Sequence, residues 1–530
     1  MTPRLSTSNL ILLTATFLLL TGNLTFFAKF TEAYPLGFMN GLYLLSVAVL
    51  IGCVNVLLLG LLCFRYTTKA VMIILLLANT AVAYFMDTYR VVIDETMIDN
   101  VLRTDPAESL DLLSVRMLLY LVLLGVLPVV FLSKVEVLRP RPRRAFFSRL
   151  KLMGLATVLA VAAVFSCGSF YASFVREHKD LRYYINPAYY LNSVGRYIAK
   201  SYRGGKQAFA SVAPDARTSR ADAERELVVL VVGETARADH FSLNGYSRKT
   251  NPLLEREAVA SFRNTWSCGT TTAVSLPCMF TLDGRAHYDK ERALNSENIL
   301  DVLQRAGVNV LWLDNNSDSK GVALRVPFEN YKSPDNNPVC DTECRDEGML
   351  LHLQEYIDRH ADGDILIVLH QMGNHGPAYY KRYPQSFERF TPVCRTNQLE
   401  QCSRGEIDNT YDNAILYTDY FLAKLIALLK ENDDRFEAAM FYISDHGESL
   451  GENNLYLHGL PYLLAPDVQK HIPMIFWFSE SFRQEGIGVG AMEAMLDREC
   501  SHDNIFHTLL GLFEVETAVY DRNLDLSHQH

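Results

Sequence analysis

The first third of the chain is a succession of long apolar runs, and nothing else in the sequence restricts the fold as strongly. No charged residue occurs from Asn9 to Phe27. Further runs cover Gly37 to Cys63, Ala70 to Met86, Met117 to Leu132 and Leu152 to Phe174. A hydrocarbon core of ~30 Å takes about 20 helical residues to cross. The first, second and fifth runs meet that length, and the third and fourth need their flanks to complete a span. A cleaved signal peptide would end at a small-residue site, but none closes the first run and more spans follow at once. The expectation is a membrane domain of five helices over residues 1–175.

Charge orients the spans. Arg65 and Lys69 lie between the second and third runs. Lys134, Arg139, Arg141, Arg143, Arg144, Arg149 and Lys151 lie between the fourth and fifth. Basic loops stay in the cytoplasm. The loop between the third and fourth runs instead carries Asp87, Asp94, Glu95, Asp99, Asp105, Glu108 and Asp111 and should face outward. Five spans then place everything after Phe174 outside the cytoplasm. The formal net charge of -10 argues against a nucleic-acid partner.

Cysteine usage agrees with an oxidising compartment. Cys53, Cys63 and Cys167 fall in the apolar runs. Six others form close pairs, Cys268 with Cys278, Cys340 with Cys344, and Cys394 with Cys402. None has the spacing of a CxxC zinc ligand pair, so disulfides are the better reading. Cys500 is left over as a buried thiol.

Residues 176–226 read as a connector. Asn186-Pro187 suits a helix N-cap and first helical position. Tyr189, Tyr190, Tyr197, Ile198 and Tyr202 follow with Arg196, Lys200 and Arg203 interleaved. That helix could lie in the membrane interface or pack on the domain that follows. A small, polar linker runs from Gly204 to Glu226. The outer domain, 227–530, alternates strand and helix patterns. Strands are expected over Leu227–Val232, Val308–Leu313, Asp364–Leu369, Ala438–Ile443 and Pro473–Phe478. Helices are expected over Glu297–Ala306, Gly348–His360 and Thr410–Leu429. This alternation predicts an α/β fold, a mostly parallel sheet between helices.

In such sheets the functional site gathers beyond the carboxyl ends of the strands. Glu234 follows ELVVLVV, Asp445 and His446 follow AAMFYIS, and His375 follows DILIVLHQMG. Two carboxylates and an imidazole suit zinc. Asp445 and His446 are adjacent and would face opposite ways on a strand. The backbone must therefore leave the strand there, with Gly447 supplying freedom. A threonine of SCGTTT could complete the site, since a metal can activate a weak hydroxyl nucleophile. Composition does not choose among Thr270, Thr271 and Thr272.

The stretches VVGETARADHFSLNGY, SCGTTTAVSLPCMF, WLDNNSDSKG, CRDEGML, LHQMGNHGPAYYKRYP, FTPVC and SDHGESLGENNLYLHG resemble the membrane-anchored phosphoethanolamine transferases that modify lipid A, including the mobile colistin-resistance enzymes. The resemblance implies an alkaline phosphatase/sulfatase-like outer domain in the periplasm, on a multi-pass anchor in the bacterial inner membrane. It implies that Thr272 is the nucleophile and that Glu234, Thr272, Asp445 and His446 hold Zn2+. His375 and His458 would face substrate or a second zinc. Ser317 and Lys320 match substrate-pocket positions, and Asn100, Thr104 and Glu108 match positions linked to the donor head group. The three cysteine pairs match the family's disulfides. The implied reaction takes phosphoethanolamine from phosphatidylethanolamine, through a phosphoethanolamine-threonine, to a phosphate of lipid A, with loss of polymyxin binding. An inner-core sugar or another surface glycan is the alternative acceptor. A sulfatase would carry a C-x-P-x-R-type signature, which SCGTTTAVSLPC lacks. An inactive receptor on the same fold is disfavoured by the intact ligand set.

Overall fold

The computed structural model describes residues 3–103, 109, 112–138, 140–178, 180–203, 209–219, 225–360, 362–484 and 492–527. The chain divides into two compact units, one built from 1–102 with 113–203, and one from 103–112 with 204–530.

Among the described residues, four helices of the first unit are long and apolar enough to cross a membrane: Phe38–Leu62, Thr68–Tyr89, Val115–Lys134 and Pro142–Ser166. The pair Thr7–Gly22 and Leu24–Ala33, bent by 56°, makes a fifth if it is one span. The charge-free run from Asn9 is therefore not one straight helix. Side chains inserted at the break explain the bend. Asn23 Nδ2 donates to the Leu18 and Asn186 carbonyls at 3.1 and 3.0 Å, and Asn186 N–H donates to Asn23 Oδ1 at 2.9 Å. Asn186 Nδ2 donates to the Gly22 carbonyl at 2.9 Å. Asn186 thus fastens the bend instead of capping the helix Ala188–Arg203. The last span also begins earlier than its apolar run, at Pro142, and breaks at Cys167 before a separate helix Gly168–Glu177. A run of basic residues does not stop a helix whose ends can reach water.

The second unit is built on eight strands: β1 (Glu226–Gly233), β2 (Val259–Trp266), β3 (Asn309–Asp314), β4 (Phe328–Asn330), β5 (Ile365–His370), β6 (Glu437–Ser444), β7 (His471–Phe478) and β8 (Cys500–Ser501). Their order is β8-β2-β7-β6-β1-β5-β3-β4. Every neighbouring pair is parallel except those of β7, which is antiparallel to both β2 and β6. The reversal has a topological cause. A parallel return needs a crossover, usually a helix. The stretch between β6 and β7 has only short 3-10 turns and a two-residue hairpin, so the chain comes straight back. β2 was not expected from the sequence, because its burial is irregular, with Arg263 exposed.

The sheet buries both faces, which is why β1 reads as unbroken aliphatics. Val228, Leu230 and Val232 join a core with Ile299, Val302, Ile505 and Leu509. Leu227, Val229 and Val231 join the opposite core with Tyr411, Ile415, Leu422 and Leu425. The helix supplying the latter, Arg404–Lys430, starts at a reciprocal Ser403–Glu406 capping box. Each fully buried aliphatic side chain contributes roughly 1.5–3 kcal/mol. The two layers therefore fix the strand ends against which the site is assembled. The pairs Cys268–Cys278, Cys340–Cys344 and Cys394–Cys402 are bonded, and Cys500 is a buried thiol.

Candidate metal centre and nucleophile

Beyond the carboxyl ends of the neighbouring strands β1 and β6, Glu234, Asp445 and His446 each offer a ligand atom, and these atoms lie within 4.8 Å of one another. All three side chains are fully buried. The backbone steps out of β6 as its sequence requires: Asp445 N–H still donates to the Gly233 carbonyl at 2.9 Å, but His446 N–H turns back onto Asp445 Oδ1 at 2.7 Å. Gly447 serves this turn by its lack of a side chain. A Cβ there would lie 2.1 Å from the Val468 carbonyl oxygen. The glycine is required for close approach and not for a left-handed backbone. Thr235, on the other side, does adopt a left-handed φ of 57°, an unusual state for a β-branched residue. Its N–H donates to Asp445 Oδ1 at 3.1 Å, and its carbonyl accepts from the Tyr411 hydroxyl at 2.6 Å.

The donor set fits a cation. His446 Nδ1 lies 2.9 Å from the Gly447 carbonyl, which can only accept, so Nδ1 carries the proton and Nε2 presents a lone pair. That lone pair lies 3.3 Å from Asp445 Oδ2 and 3.5 Å from Glu234 Oε1. Asp445 Oδ2 is buried without a hydrogen-bond partner. Electron-rich atoms so close in a dry site repel unless a positive charge lies among them. Burial accordingly pushes the Asp445 carboxyl up, and burial together with the neighbouring His458 pushes the His446 imidazole down to about 3. Second-layer contacts orient the ligands, as metal sites require. Asn316 Nδ2 donates to Glu234 Oε2 at 2.7 Å and to the Gln371 carbonyl at 2.8 Å.

Thr272 opens the helix Thr272–Met279. Its hydroxyl lies 3.2 and 3.1 Å from the two Glu234 oxygens and 3.4 Å from His446 Nε2. A helix start favours negative charge on that oxygen. The neighbours face elsewhere: Thr270 Oγ1 donates to the Leu460 carbonyl at 2.7 Å, and Thr271 caps the same helix by backbone position. The Cys268–Cys278 bond closes the loop around all three threonines.

His375 and His458 stand beside this cluster. Their ring centroids are 5.9 Å apart, and His458 is 4.3 Å from His446. Burial drives His375 down to about 3. Burial opposes charge on His458 too, but Glu448 Oε1, 3.3 Å from its Nδ1, outweighs it and pushes His458 up to about 9. The two imidazoles are therefore pushed in opposite directions. Lys320 Nζ donates to the carbonyl and hydroxyl of Ser317, both at 2.7 Å. That loop joins the centre through Asn316. Asn100 lies on the helix Glu95–Arg103 of the first unit. Thr104 and Glu108 lie outside the described residues.

Asn316 and His502 also build the site, and neither is marked by a local pattern. Asn316 sits inside DNNSDSKG, where the family resemblance points to Ser317 and Lys320. His502 accepts the Cys268 N–H at Nδ1 (3.0 Å) and donates from Nε2 to the Ser444 carbonyl (2.9 Å), so it ties the threonine loop to the end of β6. Nothing in the stretch ECSHDN signals that role.

Residues 226–515 match the family model for sulfatases, and residues 51–202 match that for phosphoethanolamine transferase EptA/EptB. Phosphatidylethanolamine transferase Mcr-1 of Escherichia coli is 44% identical, with 94% of each chain covered. The chain belongs to the phosphoethanolamine transferase family. Within that family, EptA of Escherichia coli (strain K12) is 40% identical over 99% of this chain and 97% of its own. The integral membrane lipooligosaccharide phosphoethanolamine transferase A from Neisseria meningitidis superposes with a TM-score of 0.95 at 37% identity, covering 99% of both chains. The expected combination of membrane helices with an alkaline phosphatase/sulfatase-like domain is thereby found.

Proposed function

We propose that the chain transfers phosphoethanolamine from phosphatidylethanolamine to a phosphate of lipid A at the outer face of the bacterial inner membrane, with Thr272 as the nucleophile and Zn2+ as the cofactor. The observation carrying this reading is the Thr272 hydroxyl lying 3.1–3.4 Å from Glu234 and His446, within the same buried donor cluster as Asp445. Zinc bound by Glu234, Asp445, His446 and the Thr272 oxygen would lower the pKa of that hydroxyl and polarise a phosphoryl oxygen. Glu234, within hydrogen-bond reach of Oγ1, orients the hydroxyl.

In the first half-reaction the Thr272 hydroxyl gives its proton to the Glu234 carboxylate it lies against, the Oγ1–P bond forms, and the bond from phosphorus to the diacylglycerol oxygen breaks; the proton returns to Oγ1 when it departs in the second. That oxygen of diacylglycerol leaves with a proton, for which His458 is the donor. In the second, an oxygen of a lipid A phosphate attacks phosphorus and Thr272 Oγ1 departs. His375 can accept a proton from the incoming group, and Lys320 can offset charge on the phosphoryl oxygens. Ser317 orients the Lys320 ammonium. Asn100, Thr104 and Glu108 belong to donor recognition by family resemblance. Two half-reactions on one residue give ping-pong kinetics. A product bearing added ammonium groups binds cationic peptides such as polymyxins less well.

Full-length protein incubated with phosphatidylethanolamine should gain one phosphoethanolamine on Thr272 by intact mass. Lipid A should take it up on addition. Thr272→Ala should show neither. Transfer at the wild-type rate by that variant would overturn the assignment. Lipid A that stays unmodified while a core sugar gains the group would move the acceptor.

A further inference from the structure

One end of the helical unit carries far more positive charge than its fold uses. The stretches 3–8, 63–69 and 133–151 contain ten Lys and Arg residues and one carboxylate, Glu136. Glu136 is already paired with Arg4 at 2.8 Å. Lys69 donates to the Ser133 carbonyl at 2.9 Å. No other carboxylate occurs in these stretches to balance Arg65, Arg141, Arg143, Arg144, Arg149 and Lys151.

Among these cations lies a half-open cavity of about 210 Å³. Its lining includes Ser6, Thr7, Arg65, Phe146, Ser148 and Arg149. Arg149 is fixed in the wall: Nη1 donates to the Cys63 carbonyl at 3.0 Å, and the guanidinium lies 4.7 Å from the Phe64 ring centroid. Ser6 Oγ accepts from Asn9 N–H, which leaves its own proton to donate. Ser8 and Ser148 share one proton across 3.1 Å, so one hydroxyl proton of that pair also remains. Around these polar groups stand large exposed apolar side chains: Phe64, Leu138, Phe146 and Phe147. Cations and hydroxyls next to exposed aromatics match the boundary between lipid head groups and acyl chains.

We infer that this cavity binds the head group of an anionic phospholipid from the cytoplasmic leaflet, with Arg65 and Arg149 on the phosphate and Phe64 and Phe146 against the acyl chains. A zwitterionic head group brings an ammonium into surroundings already short of negative charge, so an anionic lipid is favoured over phosphatidylethanolamine. The inference rests on the membrane-spanning reading of the helices and not on the transfer reaction.

The test is native mass spectrometry of the full-length protein released from mixed vesicles of phosphatidylethanolamine and phosphatidylglycerol. Wild type should retain phosphatidylglycerol in preference. Arg65→Ala should weaken that retention about fivefold, Arg65→Glu further, and Arg65→Lys should restore it. Ser148→Phe, which fills the cavity and leaves every charge in place, should also abolish it and keeps the question answerable if Arg65→Glu does not accumulate. Millimolar inorganic phosphate should not displace the lipid. Equal retention of both lipids, undiminished phosphatidylglycerol on Ser148→Phe, or displacement by phosphate alone would each overturn the assignment.

Discussion

Removing His502 should loosen the metal centre although His502 touches neither metal ligand nor nucleophile. Its two hydrogen bonds link Cys268, four residues before Thr272, to Ser444, one residue before Asp445. Both partners are main-chain groups in a buried region, so alanine leaves an N–H and a carbonyl unsatisfied. Each costs about 1–3 kcal/mol, for a total of roughly 2–6 kcal/mol. His502→Asn can reproduce the acceptor facing Cys268, and His502→Gln the donor facing Ser444, so each should recover part of the loss. The assay is thermal unfolding of the full-length protein alongside zinc affinity by chelator competition. Alanine should lower both, with the amide variants between alanine and wild type. Burial pushes the His502 imidazole down to about 4, below its unfolded value near 6.5. The unfolded chain therefore binds the extra proton, and the stability tied to neutral His502 is present above pH ~6.5 and lost as pH falls through about 4. That portion of the acid sensitivity, about 3 kcal/mol, should be missing from His502→Asn. An alanine variant with unchanged midpoint and unchanged zinc affinity would refute the reasoning.

Other outcomes follow from the same geometry. Asn316→Ala removes the donor to Glu234 Oε2 and should lower zinc affinity about 10–100-fold by chelator titration, with the fold intact by circular dichroism. Gly447→Ala places a methyl against the Val468 carbonyl and should cost at least ~1–3 kcal/mol in chemical denaturation, along with metal binding. Exhaustive chelation should lower the thermal midpoint, because Glu234, Asp445 and His446 then face one another without a cation, and stoichiometric zinc should restore it. A midpoint indifferent to chelation would count against the metal.

The residues read most directly from sequence are those whose role is carried by one local pattern. The aliphatic runs of β1 and β6 marked buried strands, and the residues just past them, Glu234 and Asp445, fell at the same end of the sheet. The reversal of β7 was not legible, because an isolated run such as HIPMIFWF has no direction. Only the lack of a crossover helix before it could have suggested one. The bend at Gly22–Asn23 was hidden for a related reason, since apolar composition reports burial or lipid contact but not straightness. Asn316 and His502 each act through two contacts, to partners as far as 82 and 234 residues away, and no short-range pattern encodes such a pairing. Thr272 could be chosen among three threonines only by resemblance. The structure supplies a physical reason, since its hydroxyl lies against Glu234 and His446 while Thr270 is engaged with Leu460.

The clasp between Asn23 and Asn186 sets an order of events during biosynthesis. Its two halves lie 163 residues apart, with the other four apolar helices between them. While the chain is being made, the opening helix can pack on the next two spans, through contacts such as Thr25 with Asp87 and Asn55 with the Ala15 carbonyl. The clasp itself cannot close until translation has passed all of those helices, so the bend is fastened only as the outer domain starts to emerge.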